Sequence, residues 1–510
     1  MRLAPLLACW GVTLIFCAVP DAMARPHAGW RRPWRAWALL WVVTTLLFVL
    51  FFYAFARPIF AAGVTLGLVG VMAGVSNAKH ASLREPFVFT DLSLFAQLFA
   101  HPRLYLPFLS RGTVVTFVAG ASILISAVLI EPTISRPGVT STIAMLGLCL
   151  TLAAVLANGM RLTLHASDDV RANGFTATFV AYLINGWRPS TFARVAEALA
   201  SGPHATGHAR GTHPDVVVIQ SESFFDARTL HPSIRPSVLQ HFDTARMQST
   251  QYGDLTVPAW GANTMRTEFA LLTGVDESAL GYGRFYPYVF VRRAATSLAS
   301  WFSRGGYRTT ALHPYYVDFF GRDRVLPLLG FAAFEGIEHF GDAPRAGTYV
   351  SDAALADAIV ARLRVADLDD RASPQFIFAM SMENHGPLHL ETVAAGESSA
   401  WHELGDDAQW RDLTAYLRHL KSADDMIGRL LNYLRTRQRE TVLCFYGDHV
   451  PALGHVFDAL GQAPARSQYF IWRNFGDIDA TQASIDVVQL GMAVRHALRA
   501  GRRQIAASGL

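Results

Sequence analysis

Apolar and polar residues alternate on two different length scales along this chain. Over the first 160 or so positions the apolar residues come in long unbroken runs: Leu3–Val19, Ala36–Ala56, Ile59–Val75, Thr113–Ile130 and Thr140–Leu156. Each is near the length needed to cross about 30 Å of hydrocarbon, so the pattern predicts five transmembrane helices. Leu3–Val19, with Arg2 before it and Asp21-Ala22-Met23-Ala24 after it, reads as a first span or as a signal peptide with a small-residue cleavage site. The stretch Asn77–Ser110 is long and mixed, and its apolar run Leu92–Leu98 suits an interfacial helix. Thr176–Trp187 is too short to span and predicts a helix lying on the membrane surface, with Tyr182 and Trp187 at headgroup level. Ser201–Pro214 is turn-rich and aperiodic, a linker in which His204, His208 and His213 are solvated.

From Asp215 the apolar runs shorten and alternate with helical spacing. Val216–Gln220, Thr309–Leu312, Phe376–Met380, Val442–Tyr446 and Gln468–Arg473 read as strands. Thr267–Thr273, Asp352–Val365, Leu413–Leu434 and Ile485–Ala500 read as helices. Strands alternating with helices over this length predict an α/β domain with a largely parallel or mixed sheet. The predicted layout is a transmembrane domain over 1–159, a juxtamembrane helix and linker over 160–214, and a catalytic domain over 215–510.

Composition agrees with a membrane part: 51% of the 510 residues are hydrophobic and only 16% are charged, where soluble domains run near a quarter charged. A formal net charge of +4 gives no argument for nucleic acid. Three of the 4 cysteines (Cys9, Cys17, Cys149) lie in the N-terminal apolar runs, and Cys444 stands alone in the soluble part, which excludes a disulfide-stapled scaffold. No Asp, Glu or Lys lies within the five runs, so a transport role has no support. Arg25, Arg31, Arg32 and Arg35 crowd the first loop, and Lys79, Arg84, Arg103 and Arg111 the third. The positive-inside rule would place both loops, and with them the C-terminal half, in the cytoplasm.

One regularity carries the chemistry. Four predicted strands end in Glu222, His313, His385 and Asp448-His449. Active sites of open α/β sheets gather outside the carboxyl ends of strands. Glu222, Asp448 and His449 as ligands would suit Mn²⁺, Mg²⁺ or Zn²⁺ and leave a coordination position open. Thr264, just before a helix, supplies a hydroxyl that a divalent cation would activate as a nucleophile. Asn263 or Thr264 could equally cap that helix.

These residues sit in V-V-V-I-Q-S-E-S-F-F, N-T-M-R-T-E-F-A-L-L-T-G, H-P-Y-Y-V-D-F-F-G-R-D-R-V, M-E-N-H-G-P and Y-G-D-H. In that order and at that spacing, over most of Asp215–Arg495, the chain resembles the lipoteichoic acid synthase type of phosphoglycerol transferase, within the alkaline phosphatase and sulfatase superfamily. The resemblance implies an αβα sandwich behind about five N-terminal spans, with its catalytic face outside the cytoplasmic (inner) membrane, against the vote of the positive-inside rule. It implies one divalent metal, typically Mn²⁺, held by Glu222, Thr264, Asp448 and His449. Arg322 and His385 would bind the phosphoglycerol head group, with His313 on the same rim. Those roles are physically apt, since an Arg fork matches phosphate oxygens and a histidine can protonate a leaving oxygen. The implied reaction moves phosphoglycerol from phosphatidylglycerol to a cell-surface or periplasmic glycan through a covalent Thr264 intermediate, with His385 as proton donor. Phe320, Tyr315 and Leu453 stand where the lipoteichoic acid type has a Trp, a polar residue and a Ser lining the head-group pocket. A phosphoethanolamine transferase has the same architecture but usually several disulfides, which Cys444 alone cannot supply. A sulfatase-type hydrolase needs a Cys or Ser in a C/S-x-P-x-R context, absent from Thr264-Met265-Arg266-Thr267-Glu268. A membrane protein that binds glycan or lipid without catalysis would have no need of Thr264, Glu222, Asp448 and His449 together.

Overall fold

The computed structural model describes residues 3–94, 111–209, 214–368, 372–477 and 479–499. His213 of the predicted linker lies outside them. The chain divides into two compact units, Met1–Thr191 and Phe192–Leu510.

Among the described residues of the first unit, four helical stretches are long and apolar enough to cross a membrane: Ala4–Met23, Trp34–Phe55, Pro58–Leu83 and Val139–Asn158. A further 20-residue helix, Arg111–Ile130, covers the fourth predicted run. Ile15, Leu129 and Ile130 stay 72%, 79% and 81% exposed, the outward face expected where lipid replaces a protein core. Two helices run past the predicted spans and take in charge. Asp21 is buried beside Arg32 and accepts the Thr176 N–H at 2.6 Å. Lys79 pairs with Asp91 at 2.7 Å. Of the predicted interfacial stretch, Phe89–Leu94 is a short 3₁₀ helix, and 95–110 lie outside the described residues.

The predicted surface helix is instead an inner one. Phe175–Gly186 buries Ala177, Thr178, Ala181, Tyr182 and Asn185, packing on Trp34–Phe55 and Val139–Asn158. Too short to span, the segment reads as a surface helix because the partners that bury its polar side chains lie outside it. The Tyr182 hydroxyl, fully buried, donates to the Asp169 carboxylate at 2.6 Å, and Asn185 donates to the Ala157 carbonyl at 3.2 Å.

The second unit is built on a nine-stranded sheet. Its strands are β1 (Asp215–Ser221), β2 (Gln251–Thr256), β3 (Arg308–Leu312), β4 (Ala333–Glu335), β7 (Gln375–Met380), β8 (Thr441–Gly447), β9 (Arg466–Arg473), β10 (Thr481–Gln482) and β11 (Ile485–Asp486), while β5 (Arg345–Ala346) and β6 (Tyr349–Val350) form a separate hairpin. The order is β10-β2-β9-β8-β1-β7-β3-β4, with β11 also paired to β2. β8, β1, β7, β3 and β4 are parallel, and β9 runs antiparallel to β8 and to β2. β1 and β8 are buried along their whole length, the mark of strands covered on both faces. On one face Val217, Ile219, Leu443 and Phe445 share a core with the helices Asp352–Asp367 and Arg411–Thr436. The helices Thr264–Thr273 and Val487–Ala497 pack together, the latter against β8 and β9. The result is an αβα sandwich with β1 and β8 at its centre.

His204 also departs from expectation. It is fully buried in the second unit, its carbonyl taking the Arg304 guanidinium at 2.6 Å and its Nδ1 facing Arg495 Nη1 at 3.2 Å. Gly491 leaves the room, since a Cβ there would stand 3.1 Å from His204 Nε2. Turn residues around it read as a loose linker, but the loop is pinned by two arginines from distant helices. His208 is exposed, as predicted.

Candidate metal centre and its surroundings

Parallel pairing sets Ser221 of β1 opposite Gly447 of β8, so the residues that leave the two strands, Glu222 and Asp448-His449, emerge side by side. Gly447 is required there, because a Cβ would stand 2.0 Å from the Phe224 carbonyl oxygen. Ser223 turns the chain at φ +53° and donates its N–H to Asp448 Oδ1 at 2.8 Å. The His449 N–H donates to the same oxygen at 2.8 Å.

Four donor groups converge. His449 Nε2 lies 3.3 Å from Asp448 Oδ2, 3.5 Å from Glu222 Oε1 and 3.4 Å from Thr264 Oγ1. His449 Nδ1 sits 3.0 Å from the Val450 carbonyl, a contact only an N–H makes, so the Nε2 lone pair faces the cluster. Thr264 is the first residue of its helix, and Asn263 before it takes φ +67° and makes no side-chain cap bond. The Gly261 N–H bonds to the Val450 carbonyl at 3.0 Å, and Thr267 Oγ1 to the Asp448 carbonyl at 2.8 Å. Both contacts tie the threonine loop to the end of β8.

The charge does not balance. Two carboxylates and one imidazole are buried together, and among the described residues Asp448 Oδ2 has no hydrogen-bond partner. Burial, reinforced by Glu222, pushes the Asp448 carboxyl up to about 7 despite His449, the Ser223 amide and the Thr264 hydroxyl. A buried carboxylate oxygen with no donor calls for a cation. Glu222, Asp448 and His449 fit one divalent ion, with the Thr264 hydroxyl at the open side.

Residues 214–490 match the family model described as Sulfatase. The chain belongs to the sulfatase family. It is 30% identical over 451 residues to the capsular polysaccharide biosynthesis protein RkpI of Rhizobium meliloti, covering 82% of this chain and 78% of that one. A second R. meliloti protein, named for cyclic β-1,2-glucan modification, is 27% identical over 80% of this chain and 66% of its own length. In fold, the lipooligosaccharide phosphoethanolamine transferase A of Neisseria meningitidis aligns over 96% of this chain and 94% of its own, with a TM-score of 0.53 at 13% identity.

The other predicted residues of this sulfatase unit form separate groups. Arg322, 1% exposed, lays Nε and Nη2 on the Glu268 carboxylate (3.0 and 2.8 Å to Oε2) and Nη1 toward His313 Nε2 at 3.3 Å. Because Arg322 only donates, His313 Nε2 accepts and its Nδ1–H points at the Met380 carbonyl, 3.4 Å away. Burial, then Arg322, holds His313 well below the usual imidazole range. His385 is half-buried, with Nδ1 2.7 Å from the Gly386 carbonyl, so Nε2 is its site for a further proton. Aromatic contacts run from His313 to Tyr315 (6.1 Å between ring centroids), Tyr315 to Tyr349 (6.1 Å) and Tyr349 to His385 (5.6 Å). Of the resemblance's pocket positions, Phe320 sits at φ +60° with Arg322 over its ring at 5.2 Å, while Leu453 is buried in the core.

Sequence reading missed two sets of buried groups. Glu268 and Tyr288 hold Arg322, the tyrosine hydroxyl bonding to Glu268. Glu383 accepts the Asp352 N–H at 2.7 Å and meets His419 Nδ1 at 3.0 Å. Asp352 is pushed well above the carboxylate range by burial, then by Glu383 and Glu222. Spacing alone held two clues: Glu268 falls one turn after Thr264, and Glu383 sits in M-E-N-H-G two residues before His385.

Proposed function

We propose that this sulfatase-family protein transfers phosphoglycerol from phosphatidylglycerol to a glycan hydroxyl, through a covalent adduct on Thr264. The observation that carries the reading is the convergence of Thr264 Oγ1 with Glu222, Asp448 and His449 around one unbalanced, buried carboxylate oxygen. A divalent ion held by Glu222, Asp448 and His449, of which Mn²⁺ suits the mixed oxygen and nitrogen donors, would supply positive charge that eases loss of the Thr264 proton and offsets phosphoryl charge. Thr264, its hydroxyl proton given up to solvent, attacks the phosphorus through Oγ1 as the alkoxide, and the bond to the diacylglycerol oxygen breaks. His385, protonated on Nε2, gives its proton to that oxygen. The acceptor hydroxyl then loses its proton to His385, attacks the phosphorus and releases Thr264. Arg322 orients the phosphoryl oxygens through N–H groups that Glu268 and His313 leave open, with His313 serving the site by holding Arg322.

The two Rhizobium relatives, named for capsular polysaccharide and cyclic glucan, support a glycan as acceptor. The apolar helices support an inner-membrane protein that meets a lipid donor in its own bilayer, and an acceptor on a cell-surface glycan requires the catalytic unit on the exterior side. A phosphoethanolamine donor is the neighbouring reading, and the head group on the trapped adduct separates the two. Incubation with phosphatidylglycerol labelled in its head group, followed by fractionation of envelope glycans, tests the proposal. Label in a glycan fraction from the wild type and none from Thr264→Ala is the expected result; label transfer by Thr264→Ala contradicts it.

A further inference from the structure

We infer that Glu268 is a positioning residue for phosphoryl recognition, acting through Arg322. The inference deepens the reading above and rests on it for Arg322 as the phosphoryl-binding group. An arginine side chain has five N–H groups. Here Nε–H and one N–H of Nη2 go to Glu268, and one N–H of Nη1 goes to His313. Two remain, one on each terminal nitrogen, and their direction is fixed by the three that are used. Two arginine N–H groups held in one plane match two oxygens of a phosphoryl group.

Glu268 is itself held. Tyr288 donates to its Oε1, and burial followed by Glu268 keeps that phenol protonated. Glu268 is fully buried and four residues after Thr264 on the same helix, so one rigid element sets both the nucleophile and the anchor of the arginine. A separate observation points the same way. Phe320 and Gly321 take successive left-handed conformations, φ +60° and +69°, just before Arg322 opens its helix. A left-handed phenylalanine is costly, and such strain persists where the fold must deliver a side chain to one place. Its ring and that of Phe319, 4.1 Å apart between centroids, back the guanidinium from one side, at 5.2 and 5.8 Å. Without an anion, Glu268 offsets the buried guanidinium charge; with one, the donors are already in place.

The test uses the full-length protein in detergent, loaded with Mn²⁺ and titrated with inorganic phosphate. Glu268→Gln keeps the shape and removes the charge; Arg322→Met removes the group through which Glu268 acts. Glu268→Gln should weaken phosphate binding by about tenfold or more, the scale on which outer-shell partners act, and leave Mn²⁺ affinity unchanged. In an Arg322→Met background, where Glu268→Gln also removes the carboxylate left unpaired, the same substitution should add no loss. Wild-type phosphate affinity in Glu268→Gln, an equal loss in both backgrounds, or a parallel fall in Mn²⁺ affinity would overturn the assignment, as would a wild type that binds no phosphate. If phosphatidylglycerol donates nothing while the phosphate pattern holds, the donor reading fails and the role of Glu268 stands.

Discussion

Two of the buried polar clusters in the second unit are wired in opposite ways. Around Arg322 the charges pair off: guanidinium on carboxylate, phenol on carboxylate, neutral imidazole on guanidinium. Around Asp448 two carboxylates and an imidazole crowd together, and one buried oxygen has no donor. The first arrangement is stable without a ligand, its two open N–H groups aside. The second is costly until a cation arrives. The imbalance, rather than the presence of metal-competent residue types, is what marks a cation site. The cluster His241, Asp424 and Asp425 makes the same point: its acids already serve the Phe242 N–H (2.7 Å) and Lys421.

The contrast can be broken in four ways. The largest effect belongs to Thr264→Ala, which should lower transfer by about 10³-fold or more while full-length protein still retains its metal; metal loss on that substitution would mean Thr264 is chiefly a ligand. Next come paired stability measurements by urea unfolding of metal-free protein. Arg322→Met leaves Glu268 buried and unpaired and should cost about 3–5 kcal/mol. Asp448→Asn removes one of two crowded carboxylates and should cost nothing or stabilise, although it weakens metal binding by about 10–100-fold or more. Similar losses from both would end the distinction. A smaller effect tests the balanced kind of network in the first unit. Asp169 accepts from the Thr163 and Leu164 amides and from Tyr182, and Tyr182→Phe should cost about 1–3 kcal/mol without altering transfer.

The smallest effect concerns pH. Burial, then Arg495 and Arg304, hold the His204 imidazole down at about 3, below its ordinary value near 6.5. The fold therefore prefers the neutral ring. Its contribution is complete above the unfolded value and is lost as pH falls from about 6.5 toward 3. Replacing His204 with Gln should flatten the acid limb of a stability–pH curve. An unchanged limb would show that other groups set it.

Much of this architecture was legible because it rests on local patterns. Membrane spans announce themselves by length and hydropathy, and β1, β7 and β8 by continuous apolar runs that end in polar residues. The three ligand candidates followed from those strand ends, since parallel pairing must bring them together. What stayed hidden depended on partners far along the chain. Thr176–Trp187 looked interfacial by its length and its two aromatics, because Asp169 and Ala157, which satisfy Tyr182 and Asn185 in the interior, lie outside it. β2, Q-Y-G-D-L-T, carries too few apolar residues to announce a strand, yet it pairs along its whole length with β9. Arg322 looked free for a ligand because Glu268 is 54 residues away.

The central claim is that Thr264, at the unbalanced cluster, takes up the transferred group. The most direct measurement is mass spectrometry of the full-length protein, quenched after brief exposure to phosphatidylglycerol and Mn²⁺ and digested. The account predicts one phosphoglycerol group on the peptide that carries Thr264, absent when Mn²⁺ is withheld. An adduct on another residue, or transfer to a glycan with no adduct at any time, would contradict it.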